Sequence, residues 1–226
     1  MYVGPVPLRV LTWNLKHGRA VPPAGHELFD EFCRALAGWT WDVALLQEVP
    51  PWWPAQLDSR LGAQSRLVLT SRNLGLALRR EVATRWPDAI KSNGGGCNAV
   101  LVRGGLSIVD CRALRLCLLP ERRWLLGARL GSGLWVGTVH LTGGRRRAAT
   151  REAQIAAGAM VAWAGGGAAV LGGDFNIRSL SVPGFEFAGR YRVDHVFARG
   201  LHAVGAPEVP QRGRLSDHDP VLVSLG

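Results

Sequence analysis

The sequence predicts an α/β sandwich, two packed β-sheets covered by helices. Three observations predict it. Short apolar runs of strand length recur along the chain between Gly, Pro and Asn punctuation; a few segments carry helical spacing; and strand after strand ends, or begins, on a polar group capable of chemistry.

The elements follow in order. Arg9 to Trp13 reads as a short apolar strand, and Glu27 to Gly38 as a helix with Leu28, Phe32, Ala35 and Leu36 on one face. Asp42 to Leu46 is a second strand, and Trp52 to Leu61 makes a helical turn or two. The middle is richer in strands: Leu67 to Thr70, Leu74 to Leu78, Ala99 to Val102, Ser107 to Leu116, Arg123 to Leu130 and Leu134 to His140. A helix from Arg146 to Ala164 follows, with Ile155, Ala159 and Ala162 on one face. Strands at Ala168 to Leu171, Asp194 to Ala198 and Pro220 to Leu225 complete the pattern, and Gly172 and Gly173 mark the end of the first of these. Trp39, Trp41, Trp52, Trp53 and Trp163 read as packing residues rather than platforms for bases.

Composition sets the limits. With 226 residues, 47% of them apolar, residues 1–226 are read as one domain with a sizeable core. Neither a signal-peptide pattern nor an apolar stretch of membrane-spanning length occurs, so the expectation is a soluble cytoplasmic protein needing no obligate protein partner. Cys33, Cys97, Cys111 and Cys117 lack Cys-x-x-Cys spacing and neighbouring histidines, which speaks against zinc and for reduced thiols. The formal charge of +10 suits a polyanionic partner; equally, with only Lys16 and Lys91 as lysines, it suits a coding bias toward arginine. Arg145, Arg146 and Arg147 start a helix, where the dipole disfavours cations. The run is therefore read as flanking a cleft and holding a phosphate backbone, with a solvated helix start as the alternative.

The polar groups at strand ends carry the chemistry. RVLTWN ends on Asn14, DVALLQE on Glu48, LWVGTVH on His140, and AVLGGDFN on Asp174 and Asn176. YRVDHVF places Asp194 near a strand head, and LSDHDPVLVSL places Asp217 and His218 just before another. An antiparallel neighbour begins where its partner ends, so these groups can meet along one edge. Carboxylate and amide oxygens are hard ligands that suit Mg²⁺ or Mn²⁺, and phosphodiester cleavage needs an aligned water, a base for its proton and positive charge facing the phosphate. No Gly-x-Ser-x-Gly elbow occurs, which excludes the usual serine hydrolase.

Taken together, TWN, LQE, TVHL, GDFN, VDHVF and SDHDP, in this order, resemble the endonuclease/exonuclease/phosphatase superfamily over nearly the whole chain. The resemblance implies a four-layer α-β-β-α sandwich of two mainly antiparallel mixed sheets, with Mg²⁺ or Mn²⁺ at the ends of the inner strands. It makes Glu48 the principal metal ligand, supported by Asn14 and Asp217. Asp174 then orients or deprotonates the water, Asn176 holds a phosphate oxygen or that water, and His218, oriented by Asp194, contacts the scissile phosphate. His140 joins it as a second catalytic histidine. The implied activity is that of a phosphodiesterase acting on nucleic acid, DNA or RNA. The alternatives are a phosphatase or phosphodiesterase on phospholipid or on inositol or sugar phosphate, and a non-catalytic nucleic-acid-binding module.

Overall fold

The structure is a computed structural model describing residues 6–71, 73–90 and 96–226. The first sheet holds β1 (Leu8–Asn14), β2 (Val43–Val49), β3 (Gln64–Leu69), β4 (Cys97–Val102) and β11 (Val221–Leu225) in the order β11-β1-β2-β4-β3. The second holds β5 (Ile108–Cys117), β6 (Arg123–Leu130), β7 (Trp135–His140), β8 (Ala169–Asp174), β9 (Glu186–Tyr191) and β10 (Asp194–Arg199) in the order β5-β6-β7-β8-β10-β9. Only β1–β2 and β7–β8 run parallel, so both sheets are mixed and mainly antiparallel.

Alternation along the strands builds the layers, because successive side chains point to opposite faces. On β1 and β2, Val10, Val43 and Leu45 face the second sheet and meet Val136, Val170 and Val196 there. Leu11, Trp13, Ala44 and Leu46 face the other way, onto Phe32 and Leu36 of α1 (Phe29–Gly38) and Trp53 and Leu57 of α2 (Trp53–Leu61). The outer face of the second sheet is covered by α5 (Arg146–Ala164), whose Ala149, Ala153, Ala156, Ala157 and Met160 lie on Leu125, Val139 and Leu171. The result is the four-layer sandwich. Four layers give each sheet two apolar faces, which explains strands such as β4 and β8 that are buried along their whole length.

Several expectations are corrected. The buried face of α5 is the alanine stripe; of Ile155, Ala159 and Ala162 only Ala159 packs, partly buried, against that core, and Ile155 is 37% exposed. The helix sits close against the sheet, and strand glycines make room for its larger side chains: a Cβ at Gly127 would stand 2.6 Å from the Trp163 ring, and one at Gly137 2.7 Å from the Met160 sulfur. Leu74 to Leu78 is not a strand. The alternation of LGLAL imitates one, but Asn73 Nδ2 donates to the Thr70 and Ser71 carbonyls, Gly75 takes φ +67°, and the chain enters α3 (Leu76–Arg85), a helix that buries no residue. The short α4 (Pro87–Ile90) follows. Strand β9, which pairs with β10 as the edge of the second sheet, is an element that periodicity alone does not announce. Gly172 and Gly173 do not end β8; the strand runs through them to Asp174.

All four cysteines are free. Among the described residues no helix is long and apolar enough to cross a membrane.

Candidate active site

Strand register assembles most of the site. Asn14 stands opposite Gln47 across the parallel β1–β2 pair, which places Glu48 one residue beyond. In the second sheet His140 pairs with Asp174, and Asp174 with Asp194, so three adjacent strands present their functional side chains in one row. The pairing of β2 with β4 breaks between Leu46 and Val49, and Glu48 in that irregularity has φ +49°. Such a bulge re-aims a side chain, here toward the cleft. Apart from Arg192, every described non-glycine residue with positive φ lies at this edge: Lys16, His17, Glu48, Asn176 and Ser216. Conformations of this kind cost about 1–3 kcal/mol each and persist where surrounding structure over-determines them.

That surrounding structure is visible in the loop bearing His218. Ser216 Oγ donates to the Asn14 carbonyl at 2.7 Å, and the His218 amide donates to Ser216 Oγ at 3.1 Å. Trp13 Nε1 donates to the His218 carbonyl at 3.0 Å, and Arg212 binds the Leu215 and Ser216 carbonyls and the Asp219 carboxylate. On the other side, Thr142 is tied to buried Glu152 of α5, donating from its amide at 2.8 Å and its hydroxyl at 2.6 Å, which fixes the loop after His140. Below the cleft, Gln47 Nε2 reaches Thr12 Oγ1 at 3.2 Å and Thr138 Oγ1 at 2.9 Å, a polar link between the sheets.

The side chains above form a cleft of about 320 Å³, lined by His17, Glu48, Arg123, His140, Asp174 and His218 among others. Asp174 accepts from the Asn176 amide at 2.9 Å and from Asn14 Nδ2 at 3.2 Å. His218 Nδ1 lies 2.8 Å from Asp194 Oδ2, its Nε2 3.8 Å from Asp174 Oδ2, and His140 Nε2 lies 3.4 Å from the same oxygen. Asp174, Asp194 and His218 bring ligand-type atoms within 4.8 Å of one another. Glu48 is bracketed by imidazoles, His17 Nε2 at 3.0 Å and His140 Nε2 at 3.8 Å.

Proton affinities follow from burial set against these neighbours. Burial works to lower the His218 pKa, but the hydrogen bond and charge of Asp194, aided by Asp174 and Asp217, outweigh it and raise it to about 9. Burial and the Arg123 charge hold His140 down to about 3, against the pull of Glu48. Burial and mutual repulsion push Asp174 upward, and burial pushes Asp194 upward too. Burial alone would raise Glu48; His17, His140 and Asn14 outweigh it and hold the carboxyl well below the usual carboxylate range. The site thus holds an imidazolium on His218, a neutral imidazole on His140 and an ionised Glu48 side by side.

The structure therefore brings together Asn14, Glu48, His140, Asp174, Asn176, Asp194 and His218. Asp217 stands at the edge of the group, its carboxylate paired with Lys16 Nζ. Arg145, Arg146 and Arg147 are exposed at the start of α5, and none of them lines the cleft, although the nearby Gly143 does. His17 and Arg123 are among the lining residues that leave no clear mark in the sequence. His17 follows Asn14 by three residues in a one-turn 3₁₀ segment, Lys16–Gly18, where strand periodicity has already stopped. Arg123 heads β6 and in the sequence is one arginine among many; its guanidinium is 12% exposed, bonded to Glu121 at 2.7 Å, and its Nε has no partner. Only the unusual burial of that charge distinguishes it.

The residues fit a divalent cation. Glu48 offers carboxylate oxygens to the cleft with imidazoles as its ion-pair partners, Asn14 stands beside it with its Oδ1 accepting from the Lys16 amide at 2.9 Å, and Asp194 Oδ1 is buried with no partner. Hard oxygen donors of this kind suit Mg²⁺ or Mn²⁺.

The fold and this site define a class. The sequence profile of the endonuclease/exonuclease/phosphatase family matches residues 11–218, and the chain belongs to that family. No match is found among curated proteins. Solved structures share the fold. An endonuclease/exonuclease/phosphatase from Beutenbergia cavernae DSM 12333 superposes with a TM-score of 0.74 at 21% identity, over 98% of this chain and 72% of that one. TDP2 from D. rerio, complexed with a single-strand DNA product, gives 0.70 at 16% identity over 97% and 98%. A mannosyl-6-phosphatase from Bacteroides thetaiotaomicron gives 0.67 at 16% identity over 97% and 99%.

Proposed function

We propose that the chain, acting as one catalytic domain, is a divalent-metal-dependent phosphodiesterase that hydrolyses nucleic acid. The observation carrying this reading is the convergence of Asp174, Asp194 and His218 within 4.8 Å, in a cleft shared with Glu48 and His140. Family membership supports ester hydrolysis at phosphate, and the DNA product held by the TDP2 neighbour supports the substrate class. The phosphatase neighbour supports a sugar phosphate as the second reading.

Glu48 and Asn14 would hold Mg²⁺ or Mn²⁺, with Asp217 joining them on release from Lys16. The cation, when bound, neutralises charge on the phosphate oxygens. The chain's own residues do the rest. Asp174, fixed through both carboxylate oxygens, orients the attacking water and takes its proton. His218 stays protonated through its bond to Asp194 and donates to the phosphoryl oxygens as negative charge grows there. Arg123, with an unused Nε–H, adds a second fixed positive charge on the cleft wall. Asn176 lines the same cleft from its left-handed turn, positioned by donation to the Leu141 carbonyl at 2.9 Å.

The test is a metal-dependent activity panel over single- and double-stranded DNA, RNA, sphingomyelin and inositol and sugar phosphates, run on wild type, Asp174→Asn and His218→Ala. Nucleic acid should be cleaved, and each variant should lose on the order of 10²-fold or more in rate. Wild-type turnover in both variants would show that the site is assigned wrongly.

A further inference from the structure

Beside the catalytic cleft lies a second groove of about 620 Å³. Thr70, Ser71, Glu121 and Arg122 line both, so the two spaces adjoin, one at the reacting centre and one beyond it. The latter differs in character: Leu69, Leu74, Leu118 and Pro120 line it. Leu74 is 89% and Leu118 52% exposed, so the groove presents free apolar surface beside a highly charged cleft. An exposed apolar surface rimmed by polar groups marks a binding site more often than chance.

The groove is also built firmly. Thr70 donates to the Gly96 carbonyl through its amide at 3.0 Å and its hydroxyl at 2.8 Å, and Asn73 Nδ2 donates to that same carbonyl at 3.0 Å. The opposite wall is joined on by the Arg122 amide, which donates to Ser71 Oγ at 2.6 Å. Walls pinned to each other keep their spacing before anything binds.

We infer that this groove is a subsite for a flat aromatic substituent on the unreactive side of the phosphate ester, such as a nucleobase. Adjacency to the cleft argues what the occupant is attached to, since a group in the groove lies beside the phosphate across four shared lining residues. Arg122 lines both spaces and Arg123 the cleft, so a phosphate bearing such a substituent meets cationic side chains beside the apolar end. This inference rests on the phosphodiesterase reading and adds a preference among esters to it.

Two chromogenic diesters isolate the effect: bis(p-nitrophenyl) phosphate and methyl p-nitrophenyl phosphate. In each, the water oxygen forms a bond to phosphorus, the bond to p-nitrophenoxide breaks with the electron pair leaving on that oxygen, and Asp174 takes the water proton. Only the unreactive substituent differs. Because Leu74 and Leu118 are exposed, Leu74→Ser combined with Leu118→Ser should fold, which circular dichroism checks. In wild type the ratio of kcat/KM for the aryl over the methyl ester should exceed that of the double variant by about tenfold, the scale on which a binding pocket discriminates by apolar packing. An unchanged ratio, including one produced by equal losses on both esters, overturns the subsite while leaving the phosphodiesterase reading standing. Metal-supplemented wild type that splits neither ester overturns both.

Discussion

Gly173 and Gly172 are neighbours in one strand, and the structure assigns them unequal tolerance. A Cβ added at Gly173 would land on the Val139 backbone of the parallel strand: inside contact distance of its carbonyl oxygen, 2.9 Å from its carbonyl carbon and 3.0 Å from its nitrogen. Backbone in a ladder cannot step aside without breaking the β7–β8 pairing beside His140 and Asp174. Gly173 also has φ +146°, a conformation that costs a side-chain-bearing residue about 1–3 kcal/mol. Overpacking adds about 1–3 kcal/mol. Gly173→Ala should therefore lose about 2–6 kcal/mol, a large part of the roughly 5–15 kcal/mol that stabilises a typical domain. A Cβ at Gly172 meets chiefly the far end of a side chain, Leu45 Cδ1 at 2.7 Å, with the His195 carbonyl oxygen farther off at 3.3 Å, and φ there is ordinary. Gly172→Ala should cost about 1–2 kcal/mol. Urea unfolding followed by tryptophan fluorescence measures both, with the midpoint shifting and the m-value constant. If Gly173→Ala came within experimental error of Gly172→Ala, backbone contact at Gly173 would not be what demands glycine there.

Three further outcomes are expected. Millimolar Mg²⁺ or Mn²⁺ should raise the melting temperature, since a ligand at a hundred times its Kd adds about 2.7 kcal/mol, on the order of 5–10 °C in a chain of this size. Glu48→Gln should abolish that shift, and an equal shift in both proteins would remove Glu48 from the metal site. His195 is fully buried, stacked on Phe197, and donates through Nε2 to the Ile177 carbonyl at 2.7 Å. Burial, assisted by Arg190 and opposed by that bond, lowers its pKa to about 4. The unfolded chain then binds more protons between about pH 4 and 6.5, so this group's contribution to stability rises with pH through that window and is lost on acidification, by up to about 3 kcal/mol. The stability difference between wild type and His195→Gln should shrink accordingly from pH 6.5 to 4; parallel curves would refute the assignment. Finally, nucleic-acid affinity should fall with salt at a log–log slope near −0.9 per neutralised phosphate on duplex or −0.7 on single strands. Replacing Arg145, Arg146 and Arg147 by alanine should flatten it by about one unit for each phosphate no longer neutralised. A slope that stays whole would make that run an ordinary solvated helix start.

What the sequence disclosed and what it hid have physical reasons. Strands β1, β2, β7 and β8 are readable because burial on both faces leaves unbroken apolar runs, and the polar residue ending each run stands out against them. Helix α3 imitates a strand because it buries nothing: its leucines answer to no neighbouring sheet, so their spacing carries no information about helix or strand. Strand β9 is an edge with two exposed residues at its start, and its Phe187 is 56% exposed, so no apolar run announces it. His17 and Arg123 enter the cleft through a left-handed turn and through the burial of a charge, neither of which leaves a periodic trace.

Because β11 completes the first sheet against β1, and the loop just before β11 supplies His218, the first and last strands meet at the same edge. During translation Asn14, Glu48, His140 and Asp174 are all delivered before β11, the strand that pairs with β1. A polypeptide interrupted anywhere ahead of Val221 lacks the closing strand, and one interrupted ahead of His218 also lacks the imidazolium. The proposed activity therefore requires the loop ahead of β11, a segment made after Asn14, Glu48, His140, Asp174 and Asp194.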